Sequence, residues 1–238
     1  ISGGLVGSEM CIRDRISRPL VLTINRVFNN SVKSLLISGE LNLTLLSKCP
    51  VLGTLKIELI KTEKEVALRC INFDFCEEQI VYRISHFVSR LAVNIEGLGE
   101  KQIRFLIEKG FIKNTDDIFL LKRKHESNTI DLCQYDGWGK KSVENLFKAI
   151  EKSSTVTFEK FIYSLGIRHV GKELAITLSN NFKSLEELIY LFSNLDKESL
   201  PECEGLGDVV INSLQSYFLN QKCLRLVTNL KNHLNIEY

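Results

Sequence analysis

Prolines are scarce: only Pro19, Pro50 and Pro201 interrupt 238 residues. Little in the chain therefore forbids long helices. No uninterrupted apolar run of the length a bilayer requires, about 18 residues, is present, which argues against a membrane-spanning helix. Net charge is scarce as well, +2 at pH 7. Binding to a polyanion through sheer excess charge is thus excluded; such a grip would need well-placed cations and backbone donors. The start of the chain also lacks the apolar core of a secretory leader, and acidic residues intervene there. The seven cysteines are odd in number and scattered, which points to a reducing cytoplasm. What is there, 44% hydrophobic and 25% charged residues, suits a folded protein and not a disordered one.

The first fifteen residues do not read as protein design. Gly-Leu-Val-Gly-Ser-Glu followed by Met10-Cys11-Ile12-Arg13-Asp14-Arg15 resembles the read-through translation of a sequencing-library adapter. Residues 1–15 are set aside on that reading, and the natural chain is expected to begin upstream. Residues 16–48 alternate loosely (Leu20, Leu22, Ile24; Leu41, Leu43, Leu45), which suggests short strands. Residues 49–76 hold two strand-like stretches, Leu55–Ile60 and Glu65–Arg69. A linking helix is predicted over residues 77–92, because Ile80, Ile84, Phe87, Val88 and Leu91 recur at spacings of three and four.

From residue 93 to 238 the chain repeats itself, and a repeat governs the reading of everything around it. The copies are Asn94-Ile-Glu-Gly-Leu-Gly99, Gln134-Tyr-Asp-Gly-Trp-Gly139, Leu165-Gly-Ile-Arg-His-Val-Gly171 and Cys203-Glu-Gly-Leu-Gly207. Their last glycines stand 40, 32 and 36 residues apart, room for one two-helix unit each. Helices are predicted over Glu100–Lys109, Lys140–Lys152, Lys172–Phe182 and Asp208–Phe218. A turn of the form Gly-apolar-Gly between helices has a chemical use. Glycine permits positive φ and lets the backbone approach a ligand closely. The middle residue (Leu98, Trp138, Val170, Leu206) anchors the turn. The helix that follows presents unpaired N–H groups and the positive end of its dipole, an anion site suited to a DNA phosphate.

The candidate backbone-binding residues are therefore Gly97, Gly99 and Lys101 in the first copy, and Gly137, Gly139, Lys140 and Lys141 in the second. In the third they are Arg168, His169, Gly171 and Lys172, and in the fourth Gly205 and Gly207. Contacts of this kind hold a duplex without reading its sequence. The second copy, with two lysines in the first turn, is expected to grip hardest. His169 stands where the third copy's first glycine would be. Glu204 and Asp208 make the fourth acidic, and it is expected to be scaffold.

Cys49-Pro-Val-Leu52, Cys70 and Cys76 nearly match a zinc module of the form Cys-x2-Cys followed by Cys-x5-Cys, with Leu52 in the place of one ligand. Structural zinc wants four ligands. His86 could supply the fourth, but it lies on the apolar helix face and is expected to be packed. Bound zinc and a zinc-ribbon fold persisting without metal both remain open on these residues. Cys133, Cys203 and Cys223 sit singly in amphipathic stretches and read as small buried apolar side chains.

Taken together, the order cysteine module, helix, four hairpins is similar to the C-terminal part of bacterial NAD-dependent DNA ligases. His86-Phe-Val-Ser-Arg90, Ile95-Glu-Gly-Leu-Gly99 and Tyr163-Ser-Leu-Gly-Ile-Arg-His-Val-Gly171 resemble that family's sequence, from about Cys49 onward. The resemblance implies a mainly α fold. Four helix–hairpin–helix motifs would form one helical domain, preceded by a small β-rich zinc-ribbon-like module. Residues 16–48 would be the end of an oligonucleotide-binding barrel. For the intact parent it implies nick sealing in bacterial replication and repair, with NAD and magnesium as cofactors and nicked duplex DNA as partner. The family's nucleophilic Lys-x-Asp-Gly motif does not occur here. The fragment is thus expected to be catalytically inactive alone and to serve a missing adenylation domain of the same parent chain. Two other readings fit the repeats: a helix–hairpin–helix subunit of another repair or recombination complex, and a helical protein–protein module.

Overall fold

The computed structural model of the chain describes residues 59–60, 69–70, 77–194 and 205–238. The adapter-like segment, residues 16–48, Cys49, Leu52, Cys76, Cys203 and Glu204 lie outside them. Two compact units are present, residues 1–82 and 83–238. In the first, β1 (Leu59–Ile60) pairs antiparallel with β2 (Arg69–Cys70), Leu59 opposite Cys70 and Ile60 opposite Arg69. Both strands fall at the ends of the stretches predicted to be extended.

The second unit is helical. Helix α1 (Glu77–Phe87) runs into it, followed by α2 (Glu100–Glu108), α3 (Asp117–Glu126), a 3-10 turn at Leu132–Gln134 and α4 (Lys140–Lys152). Then come β3 (Thr155–Thr157), α5 (Phe158–Ser164), α6 (Lys172–Asn181), α7 (Leu185–Asn194), α8 (Asp208–Leu219), α9 (Gln221–His233) and β4 (Asn235–Glu237). Helix α1 stops earlier than its apolar spacing suggested. A turn follows Phe87, and Leu91, predicted on the buried face, is 53% exposed because it is no longer in helical register with Ile84 and Phe87.

Each helix buries the face that its spacing foretells. In α4 the buried set is Val143, Leu146, Phe147 and Ile150, one stripe at intervals of three and four. Helix ends are set by local chemistry. Gly110, at φ 69, closes α2: its N–H reaches the Ile107 carbonyl and that of Phe111 the Leu106 carbonyl, both at 2.8 Å. This pair of bonds satisfies carbonyls that the last turn leaves open. Asn128, at φ 55, closes α3 in the same manner.

Aromatic side chains knit the helices together. Phe87 of α1 meets Phe119 of α3 edge-on at 6.2 Å, and Phe119 stacks on His233 of α9 at 5.5 Å. Helix α5 is almost wholly interior, with Phe158, Phe161, Ile162 and Tyr163 all buried, and packs on α6. Strands β3 and β4 form a parallel pair, Thr155 opposite Asn235 and Thr157 opposite Glu237. A three-residue run of β-branched side chains is too short to register as a strand by alternation, so this pair was not predicted.

Candidate nucleic-acid interface

The four Gly-apolar-Gly turns share one backbone. The first position is left-handed every time: Gly97 at φ 87, Gly137 at 82, His169 at 63 and Gly205 at 85. His169 thus adopts the glycine conformation without being glycine, a strained choice that histidine tolerates better than most residues. The second position is different. Gly99, Gly139, Gly171 and Gly207 have φ of −75, −62, −84 and −78 with ψ from 155 to 179. Positive φ is thus used only at the first position: the second glycines occupy extended backbone open to any residue.

Nor does packing demand glycine there. A Cβ built on Gly139, Gly171 or Gly207 would meet nothing within 4 Å, and on Gly99 only the tip of Gln102. Each second glycine is the N-cap of the helix that follows and, lacking a side chain, makes no cap bond itself. By contrast, α9 opens on Asn220, whose Oδ1 accepts from the Lys222 N–H at 2.9 Å. The α7 start is held by Ser184, whose Oγ accepts from the Glu187 N–H at 3.2 Å. The hairpin helices therefore open without a cap from the side chain of their own N-cap residue.

Apolar anchors lock three of the turns. Leu98, Trp138 and Val170 are all buried, whereas Leu206 is half-buried. Trp138 rests on Phe105 of α2, ring centres 5.6 Å apart, and Tyr135 meets the same ring at 5.1 Å. Lys101, Lys140, Lys141 and Lys172 are exposed in the first turns of α2, α4 and α6. His169 is also exposed, while Arg168 is half-buried. Asp208 is the first residue of α8, so the fourth turn matches the others in backbone but not in charge.

A groove of about 350 Å³ borders the first turn, lined among others by Asn94, Glu96, Lys148, Lys152 and Lys160. Those three lysines were not singled out from sequence. Lys148 and Lys152 sit at the far end of α4, and only the fold brings them beside Asn94.

His86 is packed, as expected. Its Nε2–H donates to the Tyr163 carbonyl at 2.8 Å, and its ring lies 4.7 Å from that of Tyr163. Burial lowers its pKa, partly offset by that bond. The Nε2 of this ring is thus already engaged within the helical unit. Cys223 is buried as expected, but Cys133 is half-exposed, because it lies on the 3-10 turn and not within a helix. Among the described residues no helix is long and apolar enough to cross a membrane.

Comparison with known proteins gives this geometry a context. Residues 160–227, holding the third and fourth turns, match the family described as the helix-hairpin-helix motif. The DNA ligase of Rickettsia canadensis is 44% identical over 180 residues, 73% of this chain and 26% of that protein. The DNA ligase of Rickettsia bellii is 45% identical over 181 residues, with the same shares covered. The chain is homologous to a segment of the DNA ligases. It spans about a quarter of the length of the curated ligases it matches, so the homology concerns one part of such an enzyme.

Proposed function

We propose that this chain is the DNA-holding segment of an NAD-dependent DNA ligase, gripping duplex backbone without reading sequence while another part of the enzyme seals the nick. The reading rests above all on the second glycines. Neither φ nor packing within the chain requires glycine at Gly139, Gly171 or Gly207. A phosphate approaching the N–H groups at the start of the helix does require it, because a Cβ would stand in its path.

In this reading Gly97, Gly137, His169 and Gly205 set the turn by their left-handed backbone. Gly99, Gly139, Gly171 and Gly207 leave room for phosphate. Lys101, Lys140, Lys141 and Lys172, with Arg168, add charge around it. The second turn contributes most, having two lysines. The fourth contributes least, because Asp208 repels a phosphate and Leu206 is less firmly anchored. The reacting lysine, NAD and magnesium belong to the adenylation part of the enzyme. This sequence has no Lys-x-Asp-Gly motif, so the chain alone is expected to bind nicked DNA and not to seal it.

The test is a salt series. Affinity for a nicked duplex, measured by fluorescence anisotropy, should fall log–log with salt, with a slope of roughly 0.9 per neutralised phosphate. Exchanging the duplex sequence should leave affinity unchanged. A flat salt response would overturn the proposal in favour of a protein-binding module.

A further inference from the structure

One cluster of ligand-type side chains lies outside the role given to the hairpins. Helix α3 ends at the left-handed Asn128, with the Thr129 N–H bonded to the Lys124 carbonyl at 3.0 Å and the Asn128 N–H to the His125 carbonyl at 3.1 Å. This reversal folds the chain back on the last helical turn and sets Asp131 and Cys133 beside His125. Their ligand atoms all lie within 4.8 Å of one another. His125 Nδ1 is 3.9 Å from Asp131 Oδ1. All three residues are half-buried, sheltered yet reachable from solvent.

The surroundings favour a cation. His125 lies in the last turn of α3, at the negative end of its dipole, a turn it shares with Arg123 and Lys124. Asp131 is held in place, its Oδ1 accepting from the Cys133 N–H at 3.0 Å. Phe147 packs on the His125 ring at 5.4 Å. Among the described residues the Nδ1 lone pair accepts from the Leu132 N–H at 3.4 Å, a long bond that a metal displaces easily. One imidazole, one carboxylate and one thiol form a nitrogen–oxygen–sulfur set. Such a set suits zinc-class ions and not calcium or magnesium, which prefer oxygen alone.

We propose that His125, Asp131 and Cys133 form a site for a zinc-class divalent ion, with water as fourth ligand. Cys133 binds as the thiolate and gives its proton to solvent. The ion would sit on the 3-10 turn that leads through Tyr135 into Gly137, bracing the second hairpin from outside. It is separate from Cys49, Cys70 and Cys76, and it stands whether or not the chain holds DNA.

Cobalt(II), titrated into the full chain and followed by thiolate-to-cobalt charge transfer, tests it. Cys133→Ser should remove one cobalt equivalent and its share of that absorbance. His125→Gln should weaken the same equivalent at least about tenfold, the scale on which even indirect partners of a metal act. A chain with Cys49, Cys70 and Cys76 all changed to serine should retain it. Identical titrations of the native chain and Cys133→Ser would overturn the proposal, as would an unaltered affinity in His125→Gln. Both single exchanges are conservative and lie at half-buried positions, so they decide the matter even if the triple-serine chain fails to fold.

Discussion

Gly139→Ala separates what the fold needs from what a phosphate needs. Gly139 has φ −62 and ψ 155, and its absent Cβ would meet nothing within 4 Å. Alanine fits there without strain. Restricting the unfolded chain should stabilise by about 0.4–1 kcal/mol. Alanine is a poorer N-cap than glycine, with a cost on the order of 1 kcal/mol. The two nearly cancel, and the unfolding midpoint should barely move. Affinity for DNA should behave differently. Losing one charge-assisted hydrogen bond to a phosphate costs about 1.5–3 kcal/mol, or roughly 10- to 150-fold in Kd. Gly137→Ala serves as the opposite control. At φ 82, its methyl group should destabilise the fold itself by about 1–2 kcal/mol. Denaturant melts and anisotropy on one nicked duplex measure both quantities for both variants. A folded Gly139→Ala chain that binds with native affinity would refute the role given to the second glycines.

Further outcomes follow from the same geometry. Replacing Lys140 and Lys141 by methionine should lower the salt slope of binding by about 0.9 for each phosphate that is no longer neutralised, read from the same anisotropy series. Burial holds the His86 pKa below its ordinary 6.5, so the unfolded chain takes up the proton first as pH falls. Stability should therefore be full above about pH 6.5 and decline below it, levelling off under the folded pKa. In His86→Gln, thermal melts between about pH 7 and about pH 5.5 should show a flatter dependence. Phe161, fully buried in α5, should cost about 3–5 kcal/mol when cut to alanine, visible as a fall in the denaturant midpoint.

The starts of α2, α4, α6 and α8 were legible in the sequence because each follows a glycine turn: α4 is found at Lys140–Lys152, as predicted. The helix ends and the excursions between them were less so. Leu91 continues the apolar period of α1 but falls after a turn that three-residue spacing cannot reveal. The two glycines of each turn look alike in sequence, yet only the first needs a left-handed backbone. His169 shows that the conformation, not the residue, defines that position. The groove lysines and the His125, Asp131 and Cys133 cluster depend on chain reversals, at Asn128 for the cluster, that place distant or oddly spaced residues together. No linear pattern carries that information.

The β3–β4 pair ties Thr155 to Asn235, and the third and fourth turns lie on the chain between them. Closing so long a loop is entropically costly until the intervening helices have shortened it. The pair is therefore expected to form late in folding, after α5 to α9 have found one another. It is also the first interaction that a pull on residues 235–238 would load. Because the strands run parallel, a tension drawing β4 along its own axis away from β3 shears all their bonds at once and does not unzip them singly. A pairing placed in this way should act as a latch, slowing unfolding more than it speeds folding.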